Sequence, residues 1–174
     1  MGFREYYFTE GVVPDFVLLI GIPGSGKSTW ISKFNSDNKY IVVSPDQIRR
    51  QLTGNVSDQT QNAKVWMVAK ERVKSYLERG KSVIFDSTMT NPQKRKEFIK
   101  DLPPAKLKAK VFYVDPEVSK ERIKKDIEAG KERAEVPSDV VDRMYSELMS
   151  TVKLLDGGVL DVSKLEDEGF EVIQ

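Results

Sequence analysis

The sequence predicts an α/β fold, a central parallel sheet of about five strands flanked by helices. Three observations predict it. Short runs rich in Val, Ile, Phe and Tyr alternate with segments of helical period, as strand–helix–strand units do. The first apolar run leads directly into a glycine-rich stretch, Gly21 to Gly26, and then into a helical pattern. Two later helical segments open with Asx-Pro, at Asn91-Pro92 and Asp115-Pro116, an N-cap followed by a first-turn proline.

Taken in order, Phe16–Ile20 is the longest apolar run and fits one buried strand. Lys27–Phe34 is the first helix. Tyr40–Ser44 is the second strand, followed by a short helix over Pro45–Leu52. A long helix spans Asp58–Arg79, with Trp66, Ala69, Val73 and Leu77 on one stripe that reads as core, Trp66 included. Ser82–Asp86 is the third strand and Pro92–Asp101 the next helix. Lys108–Asp115 is the fourth strand and Pro116–Ala129 its following helix. The last helix, Ser138–Leu155, repeats Val141, Met144, Leu148, Val152 and Leu155 on one face; 156–169 reads as loop and Phe170–Ile173 as the fifth strand. Residues 16–174 form one domain on this reading. Residues 1–15 are an N-terminal segment whose one candidate element is an edge strand at Tyr6–Thr9.

Composition removes several chemistries. There is no cysteine and no histidine. Disulfides, thiol nucleophiles, zinc sites built on those residues and imidazole bases are therefore absent. What is left is carboxylates, hydroxyls, Lys, Arg and a hard metal. The hydrophobic fraction is 39%, and no apolar run is long enough to span a bilayer. The first fifteen residues lack a signal-peptide apolar region, and Tyr6 breaks the myristoylation pattern. The expectation is a cytoplasmic protein with no membrane association and no obligate protein partner. Net charge is +1, but the first 134 residues carry +8 and the last 40 carry −7. A moderately basic working face suits an anionic substrate.

Gly21-Ile22-Pro23-Gly24-Ser25-Gly26-Lys27-Ser28 matches the P-loop pattern without a gap. Its glycines allow close backbone approach, so successive N–H groups converge on phosphate oxygens. The helix opening at Lys27 aims its N-terminal dipole at the same anion. The expected nucleotide-binding residues are Gly24, Ser25, Gly26, Lys27, Ser28 and Thr29. Lys27 reaches the terminal phosphates, and the Ser28 hydroxyl serves Mg²⁺.

Other motifs narrow the class. The base-reading N-K-x-D of GTPase switches is missing, because Asn38-Lys39 continues as Tyr40-Ile41. A motor ATPase module would be larger, with a longer acidic strand. A small kinase remains. Asp46 and Arg49 lie three apart on one helix face after the second strand. Asp46 reads either as a base for an acceptor hydroxyl or as a first-turn dipole partner beside a Ser44–Gln47 capping box, and Arg49 as a clamp on an acceptor phosphate. Asp86, ending the third strand, reads as a carboxylate for the Mg²⁺ shell or as a cap. Arg122, Lys125, Lys131 and Arg133 surround Glu128-Ala129-Gly130. They read either as a cationic lid over the transferring phosphate or as a solvated helix face with Arg122 paired to Asp126.

In combination these elements resemble the P-loop polynucleotide 5′-hydroxyl kinase family, the kinase domain of the phage polynucleotide kinase and its bacterial end-healing relatives. Ile20 to Trp30 is similar to that family's P-loop. Ser44-Pro45-Asp46-Gln47-Ile48-Arg49 resembles its D-x-x-R element, Phe85-Asp86-Ser87-Thr88 its D-A-T-N element, and Arg133-Ala134-Glu135-Val136-Pro137 its R-x-x-V-P exit from the lid. The likeness covers roughly residues 16–150. It implies a P-loop kinase fold with a cationic lid, ATP or another nucleoside triphosphate as donor, Mg²⁺, and nucleic acid 5′-OH ends as acceptor. It implies Lys27, Asp46 and Arg122 as catalytic residues, Asp46 and Arg49 as acceptor-binding residues, Arg122 and Arg133 on the nucleotide, and Ser28 and Asp86 at the metal. Two positions depart from the family. Asp126 stands where it places a second lid arginine, which leaves Lys125, Lys131 or Arg133 to substitute, and Met89 stands where D-A-T-N has Asn. With no phosphatase or ligase module in the sequence, the expected activity is the kinase step alone. A small-molecule kinase acting on a nucleoside, sugar or antibiotic hydroxyl is the alternative, and a nucleotide-binding switch a further one.

Overall fold

The structure is a computed structural model and describes residues 13–174. The edge strand expected at Tyr6–Thr9 lies outside the described residues. In chain order the elements are β1 (Asp15–Ile20), α1 (Lys27–Phe34), β2 (Ile41–Val43), α2 (Pro45–Thr53), α3 (Asn62–Glu78), β3 (Val83–Phe85), α4 (Pro92–Ile99), β4 (Lys106–Val111), α5 (Pro116–Glu128), α6 (Ser138–Thr151), β5 (Lys153–Leu154), β6 (Leu160–Asp161), α7 (Ser163–Asp167) and β7 (Glu171–Ile173).

Five strands pair in parallel in the order β2-β3-β1-β4-β7, with Leu18 in register with Phe85 on one side and Ala109 on the other. β1 is central and fully buried from Phe16 onward. Alternation along it feeds two layers. Phe16, Leu18 and Ile20 meet Val65, Ala69, Val73 and Leu77 of α3. Val17 and Leu19 point the other way, with Ile84, toward Trp30 and Ile31 of α1. Both faces of the parallel sheet are thus covered, as such sheets require. Because all five strands run the same way, the ends of β1, β2 and β3 release Gly21, Ser44 and Asp86 at one edge. Ligands of open α/β sheets bind at that edge.

Several boundaries differ from the sequence reading, each for a local reason. α3 starts at Asn62 rather than Asp58, because Asp58 forms an Asx turn, accepting from the Thr60 amide at 2.8 Å. β4 begins at Lys106 and ends at Val111, not Asp115; Asp115 instead caps α5 by accepting from the Glu117 amide at 2.8 Å. α6 stops at Thr151, where Val152 turns extended, so Leu155 is exposed rather than part of the apolar face. Trp66 packs against Phe85 and Phe98 as core, although Val65 is the more deeply buried neighbour.

The segment 156–169, expected as loop, is structured. β5 and β6 form an antiparallel pair around a short 3₁₀ turn in which Gly157 and Gly158 both take φ of 80°. α7 then buries Leu165 in the main core. Arg95, fully buried on α4, fastens this segment. Its Nε and Nη2 donate to the two Glu168 oxygens at 3.0 and 2.8 Å. Nη2 also donates to Thr151 Oγ1, and Nη1 donates to the Met89 and Thr90 carbonyls at 2.9 and 3.0 Å.

Candidate active site

The turn from β1 into α1 forms a tight cradle. Gly24 and Gly26 take φ of 75° and 99°, left-handed values that favour glycine. Gly26 caps α1 without any side-chain hydrogen bond, so the first-turn amides of α1 have no side-chain cap there. Gly21 is needed for space: a Cβ there would lie 2.8 Å from the Phe112 Cβ. Its amide donates to the Thr88 carbonyl at 3.0 Å, tying the cradle to the loop after β3. The Lys27 ammonium folds back over the loop, donating to the Gly21 and Ile22 carbonyls at 3.0 Å each. Ser25 Oγ and Ser87 Oγ are buried without a partner. Cationic, amide-rich and with orphaned hydroxyls, the cradle fits the polyphosphate that the P-loop pattern implies.

Burial pushes the Lys27 amine down to about 8. The Asp86 and Asp46 carboxylates oppose that shift and the Arg133 charge adds to it. Asp86 moves the other way. Burial raises its carboxyl above the usual range and the Asp46 charge raises it further, while Lys27 pulls it down. So Asp46, Asp86 and Lys27 interact across the ends of β2, β3 and β1. Among the described residues there is no group of three or more acidic side chains able to cage a metal. Mg²⁺ that keeps its waters and bridges phosphates needs only one or two protein oxygens. Ser28, exposed on the first turn of α1, and Asp86 are suitable ones.

Asp46 and Arg49 are brought together on α2. Arg49 Nη1 donates to Asp46 Oδ1 at 2.5 Å and Nη2 to Asn62 Oδ1 at 3.1 Å, while its Nε is buried without a partner. Ser44 caps the helix, weakly, accepting from the Gln47 amide at 3.5 Å. The cap and the carboxylate are therefore separate features: Ser44 satisfies the helix end, and Asp46 reaches outward.

The cationic segment is docked on the cradle, with one pairing different from the sequence expectation. Arg122 does not pair with Asp126; its Nη1 donates to the Gly24 carbonyl at 3.0 Å. Asp126 is instead taken by Arg133 Nη1 and, at 2.7 Å, by Lys131. Lys125 lies in solvent beside Glu121. Arg133 is also close to the loop: its Nη2 stands 3.3 Å from where a Gly24 Cβ would be. Thr29, expected at the nucleotide, is exposed on the first turn of α1, next to Ser28.

Four contributors carry no signal in the sequence. Ser119, fully buried on α5, donates to the Pro23 carbonyl at 2.5 Å and clips that helix to the loop. Asn62 supports Arg49. Glu132 pairs with Arg50 at 2.8 Å, and the Glu135 amide donates to Ser57 Oγ at 3.1 Å, so the segment after α5 bridges to the α2 side of the cleft. All are long-range contacts, which local patterns do not encode.

The profile of a family described as "AAA domain" matches residues 16–150. No curated protein matches the chain in sequence. Among solved structures, a chain of the Pnkp1/Rnl/Hen1 RNA repair complex aligns over 83% of this chain and 47% of its own, with TM-score 0.68 and 21% identity. A second structure of that complex aligns over 64% and 40%, with TM-score 0.58 and 23% identity. A gluconokinase from Sinorhizobium meliloti 1021 aligns over 79% and 77%, with TM-score 0.51 and 19% identity. These likenesses establish a shared fold. The chain spans about half the length of the repair-complex chains it resembles.

Proposed function

The chain belongs to the AAA domain family, and from that premise we propose that it is an ATP- and Mg²⁺-dependent phosphotransferase that moves the γ-phosphate to the 5′-hydroxyl end of DNA or RNA. The observation that carries the reading is the placement of Asp46, just after β2, and Asp86, just after β3, at the same sheet edge as the Lys27 cradle, where both charges act on its ammonium. An exposed carboxylate on the acceptor side and a half-buried one at the metal side both act on the phosphate-loop ammonium.

Bound nucleotide with its metal supplies the transferable phosphoryl group and the counter-charge for it. Asp46 takes the proton from the acceptor hydroxyl as the new O–P bond forms and the bond to the leaving diphosphate breaks. Lys27 and Arg122 hold positive charge where negative charge spreads during transfer. Ser28 and Asp86 would hold the metal, which would supply counter-charge to the phosphates. Arg49, buried and braced by Asn62, keeps one N–H, at Nε, without a partner, and an anion on the acceptor that draws the side chain outward would supply one.

Nucleic acid as acceptor is supported by the ordered D-x-x-R, D-S-T and R-x-x-V-P elements and by the fold shared with the RNA repair complex chains. The gluconokinase likeness keeps a small-molecule hydroxyl as the second reading. γ-Labelled ATP offered to a 5′-OH oligonucleotide beside a panel of nucleosides, sugars and aminoglycosides decides between them. Label on the oligonucleotide is the expected result. Label on a metabolite alone supports the second reading, and slow hydrolysis with no acceptor supports a switch.

A further inference from the structure

Asp126 sits on the outer half of α5, one turn beyond Arg122, in a segment rich in cations. Its carboxylate is not dispersed among them. One oxygen takes Arg133 Nη1 and the other takes Lys131 at 2.7 Å. Hydrogen bonds from Lys131 and then Arg133 hold the Asp126 carboxyl below its usual range, so it stays charged in the working pH range. Arg133 and Asp126 are both largely covered, with side chains 22% and 27% exposed. Only one edge of the Arg133 guanidinium is used by Asp126. The other, Nη2, faces the phosphate loop at Gly24, beside the Arg122 group that already touches that residue. The Arg133 charge also acts on Lys27.

We propose that Asp126 is a positioning residue that holds Arg133 across the mouth of the phosphate loop, so that a cation from the loop after α5 contacts the terminal phosphate. The proposal rests on the nucleotide-binding part of the function above and not on the identity of the acceptor. A flexible arginine on a connecting loop would lose much of its binding energy to ordering; a carboxylate behind it pre-arranges the fork and leaves both Nη2 N–H groups free. Arg133 thus forms the second arm of a clamp whose first arm is Arg122.

The test is binding rather than turnover. Affinities for Mg-ATP and Mg-ADP are measured by calorimetry for the wild type, Asp126→Asn, Asp126→Glu, Arg133→Ala and the double variant Asp126→Asn/Arg133→Ala, with melting curves as a folding control. The wild type should prefer ATP. Loss of one charge-assisted contact to the terminal phosphate should cut that preference about tenfold or more. Asp126→Asn and Arg133→Ala should lose it to a similar extent, ADP binding should hold, and Asp126→Glu should restore much of it. The double variant should be no worse than Arg133→Ala. An unchanged preference in Asp126→Asn, additive losses in the double variant, or a wild type that binds both nucleotides equally would overturn the proposal. Tighter ATP binding by Asp126→Asn would also overturn it, showing that the carboxylate competes with phosphate. If no oligonucleotide accepts label, the acceptor assignment fails while this comparison still reads.

Discussion

Asp46 and Arg49 meet at 2.5 Å on consecutive turns of α2, yet their surroundings are opposite: the Arg49 side chain is 6% exposed and that of Asp46 63%. The buried member is also held by Asn62, and the exposed member keeps most of its carboxylate in solvent. That asymmetry motivates the first two predictions.

Asp46→Asn keeps an acceptor oxygen for Arg49 and leaves the Ser44 cap untouched. Stability should change by no more than the first-turn dipole contribution of about 0.3–1 kcal/mol. The rate should fall by about two to four orders of magnitude, since an amide cannot take the acceptor's proton. Melting temperature and kcat are measured together, and normal kcat with a slightly lower Tm would reduce Asp46 to a helix-dipole partner.

Arg49→Ala removes the residue proposed to hold the acceptor's anion. Acceptor-dependent kcat/KM should drop by roughly 2–4 kcal/mol, with nucleotide affinity unchanged. In the wild type, a nucleoside 3′-monophosphate should be used far better than the bare nucleoside. Equal use of the two would argue for the small-molecule reading.

Lys27 gives a pH signature. Burial holds its folded-state pKa near 8, below the ordinary 10.5. Nucleotide affinity should therefore weaken as pH rises through about 8, with proton uptake on binding above that point, read by calorimetry in buffers of different ionisation enthalpy. Lys27→Arg should remove the inflection. For stability the sign is opposite. Between about 8 and 10.5 the unfolded chain holds a proton that the folded chain has released, so stability from this group rises with pH. Lys27→Met should melt above wild type at neutral pH, and the gap should close across that window. A gap that stays constant to pH 10 would show that Lys27 is not desolvated.

Gly24→Ala tests the cradle. The left-handed φ of 75° should cost about 1–2 kcal/mol for any Cβ. The new methyl would also stand 3.3 Å from both Arg133 Nη2 and the Ser119 carbonyl. Nucleotide binding should fail with a modest loss of Tm. Full affinity in this variant would mean that the loop opens before phosphate enters.

Glu168→Ala tests whether the C-terminal segment belongs to the fold. It strands a fully buried guanidinium with two of its donors unpaired, which typically costs about 3–5 kcal/mol. Chemical denaturation measures the loss. A cost under about 1 kcal/mol would mean that water reaches Arg95.

The sequence by itself determined what is local. The bounds of α1 follow from a glycine cradle and a helical run, and α2, α4 and α5 begin where their prolines sit because Ser44, Asn91 and Asp115 cap them. The core stripe of α3 follows from its period. Five parallel strands follow from alternation; as candidates, Lys27 and Ser28 were legible in the P-loop pattern, and Asp46 and Asp86 in their places after the second strand and at the end of the third. What only the tertiary structure decided is every relationship carried by contacts distant in sequence. Asp126 lies four residues from Arg122 on one helix, a spacing that permits a pair. Arg122 nonetheless reaches the Gly24 carbonyl and leaves Asp126 to Arg133, because Ser119 docks α5 against the loop at Pro23. Likewise 156–169 carries no strong period, and becomes ordered only because Leu165 and Glu168 find a core and a buried arginine 73 residues away. Local spacing shows which partners are within reach; packing, which removes some of them from water and holds others in place, chooses among them.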